Sequence, residues 1–238
     1  MLQLIIPLKD LAAAKSRLGD ALGDNRRQQL VVAMATDLVE LARRQPFIDA
    51  VTVVLGDNWE QRLFRIPGVQ VLPEADLDGA GLNPLLQSAV DTLRPERAVV
   101  MHGDLPFATA DELRALCGHL DRLELVLCPD SAKTGTNAVA FHAAATPRFC
   151  FGAHSFDLHR RAAGQQERRW WSFCTPGLGR DIDQPGDLCD LARHAGGWER
   201  MGPQTRDWSN RYGEAALEKI RAVSAATVSE SALRGVAS

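Results

Sequence analysis

Two patterns of hydrophobic and polar positions alternate along most of the chain. Short apolar runs predict buried strands, and apolar residues at every third or fourth position predict helices. The strands are predicted at residues 3–7, 50–55, 69–72, 98–101, 125–128, 137–141 and 170–174. The helices are predicted at residues 25–44, 58–65, 82–93, 110–120 and 155–163, with another that begins at Pro185. This alternation predicts an α/β domain with a mostly parallel central sheet covered by helices on both faces.

Local capping signals set several of the predicted helix starts. Thr109 followed by Glu112 forms a capping box ahead of the helix at residues 110–120. Asp24 is placed to cap the helix at residues 25–44. Pro185 is typical of a first helical position, and Asp183 or Gln184 stands just before it.

One continuous unit is predicted over residues 1–200, followed by an extension over residues 201–238. The extension is rich in Ala, Ser and Arg and contains one plausible helix at residues 213–223. Its last dozen residues are small and weakly hydrophobic. We therefore expect a partly helical or disordered, loosely attached tail, with an oligomer contact as the alternative.

Composition excludes several classes of protein. The 238 residues carry a formal net charge of -3, which argues against nucleic-acid binding. No apolar run is long enough to span a bilayer, and the N-terminus does not resemble a signal peptide. The five cysteines are odd in number and show no Cys-x-x-Cys spacing. A reducing cytoplasm is therefore expected, with the cysteines as small buried residues.

Four segments follow predicted strands, where open α/β sheets bind ligands. The first carries Lys9, Lys15 and Arg17, which could hold a triphosphate, although a solvated basic turn is an equal alternative. The second, at residues 102–106, contains Asp104, whose carboxylate suits a hard cation or belongs to a simple turn.

The other two segments follow later in the chain. Residues 130–137 and 151–155 are rich in Gly, Thr and Ser, which suits phosphate or carboxylate groups but also ordinary loops. In the segment at residues 181–188, Asp181 or Asp183 could join Asp104 on a divalent metal. The alternative for Asp183 is a cap on the helix that begins at Pro185, and both roles are compatible.

Taken together, these segments resemble the CofC/FbiD family of guanylyltransferases in coenzyme F420 biosynthesis. The first shared motif is I-I-P-L-K-x-L-x-x-A-K-S-R-L, which starts at Ile5, and the next is G-L-N-P-L-L, which starts at Gly81. G-D-L-P, T-G-T-N-A, F-G-x-H-S and P-G-L-x-x-D-I-D-x-P-x-D-L follow in order up to residue 188. The order and spacing extend over residues 3–194. A run at residues 9–14 replaces the glycine-rich opening loop of the related sugar and molybdopterin enzymes.

The resemblance implies a single-domain, Rossmann-like nucleotidyltransferase fold of the type A glycosyltransferase kind. It implies transfer of GMP from GTP to a phosphorylated three-carbon acid, with release of pyrophosphate and with Mg²⁺ as cofactor. Lys15, Arg17 and Asp104 would be catalytic. The implied ligand sets are Leu8, Lys9, Lys15, Arg17, Leu82 and Asn83 for GTP, Thr136, Gly152 and Ser155 for the phospho-acid, and Asp104 and Asp183 for the metal.

Several alternatives stay open at this point. The acceptor could be 2-phospho-L-lactate, phosphoenolpyruvate or 3-phospho-D-glycerate, because the recognisable loops would serve groups that all three share. Another small-molecule nucleotidyltransferase, of the molybdopterin guanylyltransferase or sugar-phosphate cytidylyltransferase type, is the enzyme alternative. A non-catalytic nucleotide-binding domain is the alternative of another class. No membrane or nucleic-acid partner is expected, and the oligomeric state is open between a monomer and a homodimer.

Overall fold

The computed structural model describes residues 1–57, 59, 66–194 and 201–235, so most of the helix predicted at residues 58–65 lies outside the described chain. Seven strands are β1 Leu2–Leu8, β2 Ala50–Leu55, β3 Val69–Pro73, β4 Arg97–Met101, β5 Leu125–Pro129, β6 Thr136–His142 and β7 Trp170–Ser172. The helices are α1 Gly19–Leu22, α2 Asp24–Arg43, α3 Leu82–Leu93, α4 Ala110–Gly118, α5 Ser155–Gln165, α6 Pro185–His194 and α7 Pro203–Gly235.

The strands form one sheet in the order β3-β2-β1-β4-β6-β5-β7. All neighbouring pairs are parallel except the two that involve β6, which runs antiparallel to both β4 and β5. Because β6 is reversed, its first residues lie at the edge where β1, β4 and β5 end. The predicted mostly parallel sheet is confirmed, and the reversal places Thr136 beside the ends of its neighbours.

Helices cover both faces of the sheet, as the alternating pattern predicts. On one face, β1 side chains such as Leu4 and Ile6 pack with α2 and α4. On the other, Ile5 packs with α3 and α5 residues, among them Leu86 and Ala163. Both faces of β1 are therefore largely apolar, which explains why its sequence is hydrophobic except at Gln3, whose buried amide donates to Thr52 Oγ1 at 2.6 Å.

A third cluster joins the C-terminal helices to α1 and α2. Leu30 and Met34 of α2 meet Leu191 of α6 and Trp208 of α7, all of them buried. The Trp208 indole donates a hydrogen bond to the Arg26 carbonyl at 3.0 Å. Up to residue 222, α7 is a helix that begins at Pro203 and packs on α2 and α6, so the extension is helical, as one of its two expected forms, but it is not loosely attached there. The Ala- and Ser-rich composition gives no sign of these apolar contacts.

Two other local expectations need correction. Asp24 does not cap α2, because Gly23 occupies the cap position and the Asp24 carboxylate accepts from Arg27 at 3.0 Å. The helix predicted at residues 110–120 ends at Gly118 and continues as one 3₁₀ turn. The capping box at Thr109 and Glu112 is confirmed.

The remaining composition-based expectations concern membranes and cysteines. Among the helices of the described chain, none is both long and apolar enough to cross a bilayer. All five cysteines are free thiols, but the expectation that they are buried holds only for Cys117 and Cys128, because Cys150 and Cys189 are partly exposed and Cys174 is exposed. Burial raises the pKa of Cys117 to about 11 and raises that of Cys128 as well, so these thiols are inert core residues.

Candidate active site

Three loops bring charged side chains together at the edge of the sheet where β1 and β4 end. Lys15 follows β1, Asp104 follows β4, and Asp183 lies on the segment that leads into α6. The Lys15 ammonium donates to Asp104 Oδ2 and to Asp183 Oδ1. The structure therefore joins residues up to 168 positions apart, all of which the sequence had singled out.

Asp181 completes a cluster of three carboxylates. One oxygen each from Asp104, Asp181 and Asp183 lies within 4.8 Å of the others. The Asn137 amide donates to Asp181 Oδ1 at 3.4 Å and to the Leu178 carbonyl at 2.9 Å, which fixes this loop against β6. Asp181 and Asp183, the two residues that the sequence offers as partners of Asp104 on a metal, therefore both lie beside it.

The electrostatics of the cluster follow from its burial and its single close ammonium. Burial opposes ionisation of Lys15, but the charges of Asp104 and Asp183 outweigh it and raise the lysine pKa above its usual value. Burial likewise opposes ionisation of Asp104, and Lys15 outweighs it, so the pKa of Asp104 is lowered. Burial, and then repulsion by Asp104 and Asp183, raises the pKa of Asp181 to about 6.

These residues fit a divalent metal. Asp104 Oδ1 is buried and has no hydrogen-bond partner among the described residues. Asp183 keeps about half of its side chain exposed. Hard cations such as Mg²⁺ prefer carboxylate oxygens and retain several waters, so one buried and one accessible carboxylate suit them. Asp104, Asp183 and Asp181 would hold the ion.

A buried arginine stabilises the basic loop after β1 through hydrogen bonds to its backbone. Arg27 of α2 is 3% exposed and donates to the carbonyls of Ala12 and Ala14, the former at 2.8 Å. Lys15 follows in a left-handed conformation with φ 53°. The carbonyl of Lys9 accepts from the Trp59 indole at 2.6 Å. The loop therefore has a defined shape without the glycines of a phosphate-binding P-loop.

The other residues predicted for GTP differ in exposure. Leu8 is buried in the core at the end of β1, so only its backbone can serve a ligand. Arg17 lies exposed in a 3₁₀ turn and makes no hydrogen bond or ion pair within the described residues. Leu82 and Asn83 begin α3, but the Asn83 amide exchanges two hydrogen bonds with the Phe151 backbone, at 3.0 and 2.7 Å.

The three residues predicted for the phospho-acid lie around one buried histidine. Thr136 Oγ1 is 3.1 Å from His159 Nδ1, and Ser155 begins the helix that carries His159. Gly152 has φ 129°, and a Cβ built there would meet no atom within 4 Å. The backbone at Gly152 is thus open to a close approach by a ligand.

Sequence reasoning did not identify Arg27 as part of the site, and it placed Asn137 and His159 in or near the candidate loops without identifying their contacts. Each acts through a hydrogen bond to a residue 13 to 41 positions away. The signal for Arg27 was its place on the apolar face of α2, next to positions such as Leu30 and Met34. For Asn137 and His159 no local pattern distinguishes these contacts from ordinary loop and helix polarity.

The fold is that of small-molecule nucleotidyltransferases. A protein described as a nucleotide-diphospho-sugar transferase from Desulfovibrio desulfuricans G20 aligns with a TM-score of 0.76 at 16% identity, over 92% of this chain and 97% of its own. A nucleotidyl transferase from a Methanothermobacter species aligns with a TM-score of 0.64 at 16% identity, over 82% and 97% of the two chains. At such identities the likeness establishes the fold.

Sequence comparison then establishes the family. The profile described as "Guanylyl transferase CofC like" matches residues 2–202. Phosphoenolpyruvate guanylyltransferases from Chloroflexus aggregans and Nocardia farcinica are 33% and 34% identical, covering 77% and 89% of this chain and 93% and 95% of their own. The phosphoenolpyruvate guanylyltransferase from Mycolicibacterium gilvum is 36% identical, covering 79% of this chain and 89% of its own. The chain belongs to the CofC-like family of guanylyltransferases, as its motifs predict, and is a nucleotidyltransferase.

Proposed function

We propose that this protein transfers GMP from GTP to a phosphorylated three-carbon acid, and that phosphoenolpyruvate is that acid. The observation that carries the proposal is the meeting of Lys15, Asp104 and Asp183 at the edge of the sheet. Relatives named for phosphoenolpyruvate favour this acid over 2-phospho-L-lactate and 3-phospho-D-glycerate. The product would enter coenzyme F420 biosynthesis.

In the proposed reaction, a phosphate oxygen of the acid attacks the α-phosphorus of GTP. The bond from that phosphorus to the β-phosphate bridging oxygen breaks, and pyrophosphate leaves. Both reactants are anionic, so catalysis consists mainly of positioning and charge neutralisation. No general base is needed, because the acceptor phosphate is already ionised near neutral pH.

The chain's own residues divide this work. Lys15 and Arg17 neutralise the triphosphate, while Leu8 and Lys9 shape its loop and Leu82 and Asn83 border the guanosine. Thr136, Gly152 and Ser155 hold the acid. A Mg²⁺ ion on Asp104, Asp183 and Asp181 would supply further neutralisation of the developing charge. Release of Lys15 from its carboxylates would then free its ammonium for the phosphates.

Pyrophosphate release measured with GTP or CTP, Mg²⁺ and, in turn, each of the three acids and a set of sugar phosphates tests the proposal. We expect turnover with GTP and phosphoenolpyruvate. Turnover only with CTP, or only with a sugar phosphate, would instead support the cytidylyltransferase alternative. GTP binding without any turnover would support a non-catalytic nucleotide-binding domain.

The metal assignment has its own test. Asp104→Ala should abolish turnover while the protein stays folded by circular dichroism. Asp121→Asn is the matched control, since Asp121 is exposed and pairs with Arg97 at the opposite edge of the sheet. Near-normal turnover by Asp104→Ala would contradict the assignment. Arg17→Ala should raise the KM for GTP, and an unchanged GTP saturation curve would count against its role.

A further inference from the structure

His159 lies at the centre of the three segments assigned to the acid. It is 2% exposed and stands one helical turn after Ser155 on α5. Its Nε2 accepts the Cys150 backbone N–H at 2.9 Å, and its ring packs edge-on against Phe151 with centroids 4.9 Å apart. Its Nδ1 faces Thr136 Oγ1 at 3.1 Å.

The contact with Cys150 determines which ring nitrogen carries the proton. A backbone N–H can only donate, so Nε2 must be an unprotonated acceptor. In the neutral ring the single hydrogen is then on Nδ1. Nδ1 faces Thr136 Oγ1, and the Ser155 backbone of the preceding turn also interacts with the ring. Burial lowers the pKa of His159 to about 4, which keeps the ring neutral near pH 7.

This tautomer restricts the Thr136 hydroxyl. Thr136 Oγ1 cannot donate to a nitrogen that already carries hydrogen, so towards His159 it can only accept. No other hydrogen bond joins the Thr136 side chain to the described residues. Its hydroxyl proton therefore remains available to an external acceptor.

The backbone of β6 sets the direction of this side chain. Cys128 opposes Ala138, but Pro129 opposes Thr136, so Asn137 is an extra residue in the ladder. Such bulges re-aim side chains next to functional sites. Here the bulge turns Thr136 to the α5 face of the sheet, where His159 meets it.

We propose that His159 is a positioning residue that presents the Thr136 hydroxyl as a hydrogen-bond donor to an anionic oxygen of the phosphorylated acid. The inference rests on the proposed function, which places that acid at Thr136, Gly152 and Ser155.

Two amide substitutions separate the two ring nitrogens. In His159→Asn, the amide nitrogen takes the place of Nδ1 and keeps a donor facing Thr136. In His159→Gln, the amide oxygen takes the place of Nε2 and keeps an acceptor for Cys150, but leaves no donor at Thr136. His142→Gln is the control, because His142 lies at the far end of β6 and hydrogen-bonds through Nε2 to the Leu120 carbonyl.

The readouts are the KM values for phosphoenolpyruvate and GTP, and calorimetric binding of phosphoenolpyruvate. We expect His159→Gln to raise the KM and the Kd for phosphoenolpyruvate about tenfold, as for loss of a hydrogen bond to a charged group, with the KM for GTP within about twofold. His159→Asn should restore both values to within about threefold of wild type. Thr136→Val should raise the KM and the Kd for phosphoenolpyruvate as much as His159→Gln does. The double variant should raise them no further than either single variant.

Equal effects of the Asn and Gln substitutions, or additive effects with Thr136→Val, would overturn the positioning role in favour of a purely structural one. A parallel rise in the KM for GTP would do the same. If wild type turns over none of the three acids, the proposed function fails, while calorimetry still decides the inference. Weaker binding of phosphoenolpyruvate by His159→Gln than by His159→Asn and wild type would support the positioning role. A wild-type protein that binds no phosphoenolpyruvate would overturn it.

Discussion

At the scale of single residues, Lys15 has the most consequential environment. Its ammonium is the one close counter-charge, within the described residues, of the Asp104 and Asp183 carboxylates. Lys15→Met should lower the melting temperature of the metal-free protein, because it leaves partly buried carboxylates without a cation. Mg²⁺ should then raise the melting temperature of the variant more than that of wild type, since the ion no longer competes with the ammonium. Thermal unfolding with and without Mg²⁺ measures both effects.

Lys133 offers a matched control for this experiment. It is an exposed lysine that shares the left-handed backbone of Lys15, with φ 57° against 53°. Lys133→Met therefore reproduces any change that comes from the backbone conformation alone, and we expect no change in its response to Mg²⁺. Equal Mg²⁺-dependent shifts in wild type and Lys15→Met would show that the ammonium does not compete with the ion.

Single residues also show how far the sequence predicts the site. Lys15 and Asp104 were identifiable because each lies in a loop that follows a recognisable strand, and Asp183 because it stands just before the helix start at Pro185. The amide contact of Asn83 was not, because its partner Phe151 is 68 residues away. The role of the Asp187 carboxylate was not identifiable either. It accepts the backbone N–H groups of Asp183 and Gln184, so the Asp183 carboxylate is available to Lys15. Such assignments depend on tertiary contacts that no local pattern encodes.

At the scale of elements, the start of α3 is joined to the loop before α5. Asn83 exchanges two hydrogen bonds with the Phe151 backbone, next to the open Gly152. Asn83→Ala should therefore raise the KM for the phospho-acid more than the KM for GTP, because the loop loses its fixed position. It should also lower the free energy of unfolding by about 1–3 kcal/mol, since the Phe151 N–H and carbonyl lose their partner.

Steady-state kinetics with both substrates measures the effect of Asn83. Gln87→Ala, which changes a partly exposed side chain later on the same helix, is the control and should leave both KM values unchanged. A selective rise in the KM for GTP would instead mean that the Asn83 amide contacts guanosine directly.

The docking of α7 depends on a carboxylate of another helix. Asp37 of α2 accepts the backbone N–H groups of Gln204 and Thr205, at 3.1 and 2.7 Å. The approach is so close that a Cβ on Gly202 would lie 2.3 Å from the Asp37 carboxyl carbon. Asp37→Ala should lower the free energy of unfolding by about 1–2 kcal/mol, as for loss of a helix cap. Urea unfolding measures this loss.

Limited proteolysis should show where that destabilisation acts. In Asp37→Ala, cleavage near residue 203 should become faster, while GTP turnover stays unchanged because α7 lies away from the carboxylate cluster. Glu40→Ala is the control on α2, since Glu40 forms surface ion pairs with Arg43 and Arg44 that contribute little. A resistant α7 in Asp37→Ala would mean that the apolar contacts around Trp208 hold the helix alone.

Elements were the most predictable part of the fold. The strand at Ala50–Leu55 and the helix at Leu82–Leu93 match their predicted bounds, because hydrophobic periodicity reports burial directly. The reversal of β6 and its bulge at Asn137 were not predictable, since both arise from pairing with β4 and β5. Pairing partners are a property of the sheet and leave no periodic signature in one strand.

At the scale of the whole molecule, the net charge of -3 is an average over unlike regions. Residues 74–124 carry ten acidic residues against four arginines, whereas residues 143–180 carry six arginines against two acidic residues. The fold brings parts of both regions to one edge of the sheet, where His102–Asp104 and the loop at Phe151 meet. A chain of modest negative charge can therefore present separate sites for a cation and for anionic ligands.

Acid stability of the whole molecule depends in part on one buried ring. The pKa of His159 is about 4 in the folded chain and about 6.5 in an unfolded one. The unfolded state therefore binds more protons between these values, and stability is lost as the pH falls through this window. This loss amounts to about 3 kcal/mol, since each pKa unit is worth about 1.4 kcal/mol, and it arises because burial opposes the charged form of the ring. Burial raises the pKa of Asp37, so that carboxyl contributes in the opposite sense.

Comparison with His159→Gln isolates the histidine from Asp37 and the other groups that titrate in the same range. The difference in free energy of unfolding between wild type and variant, measured by urea titration, should be constant above pH 7. It should shift by about 3 kcal/mol in favour of the variant between pH 6.5 and pH 4, since glutamine takes up no proton. A difference that does not change with pH would mean that His159 takes up its proton over the same pH range in the folded and the unfolded chain, so that burial does not hold the ring neutral as pH falls.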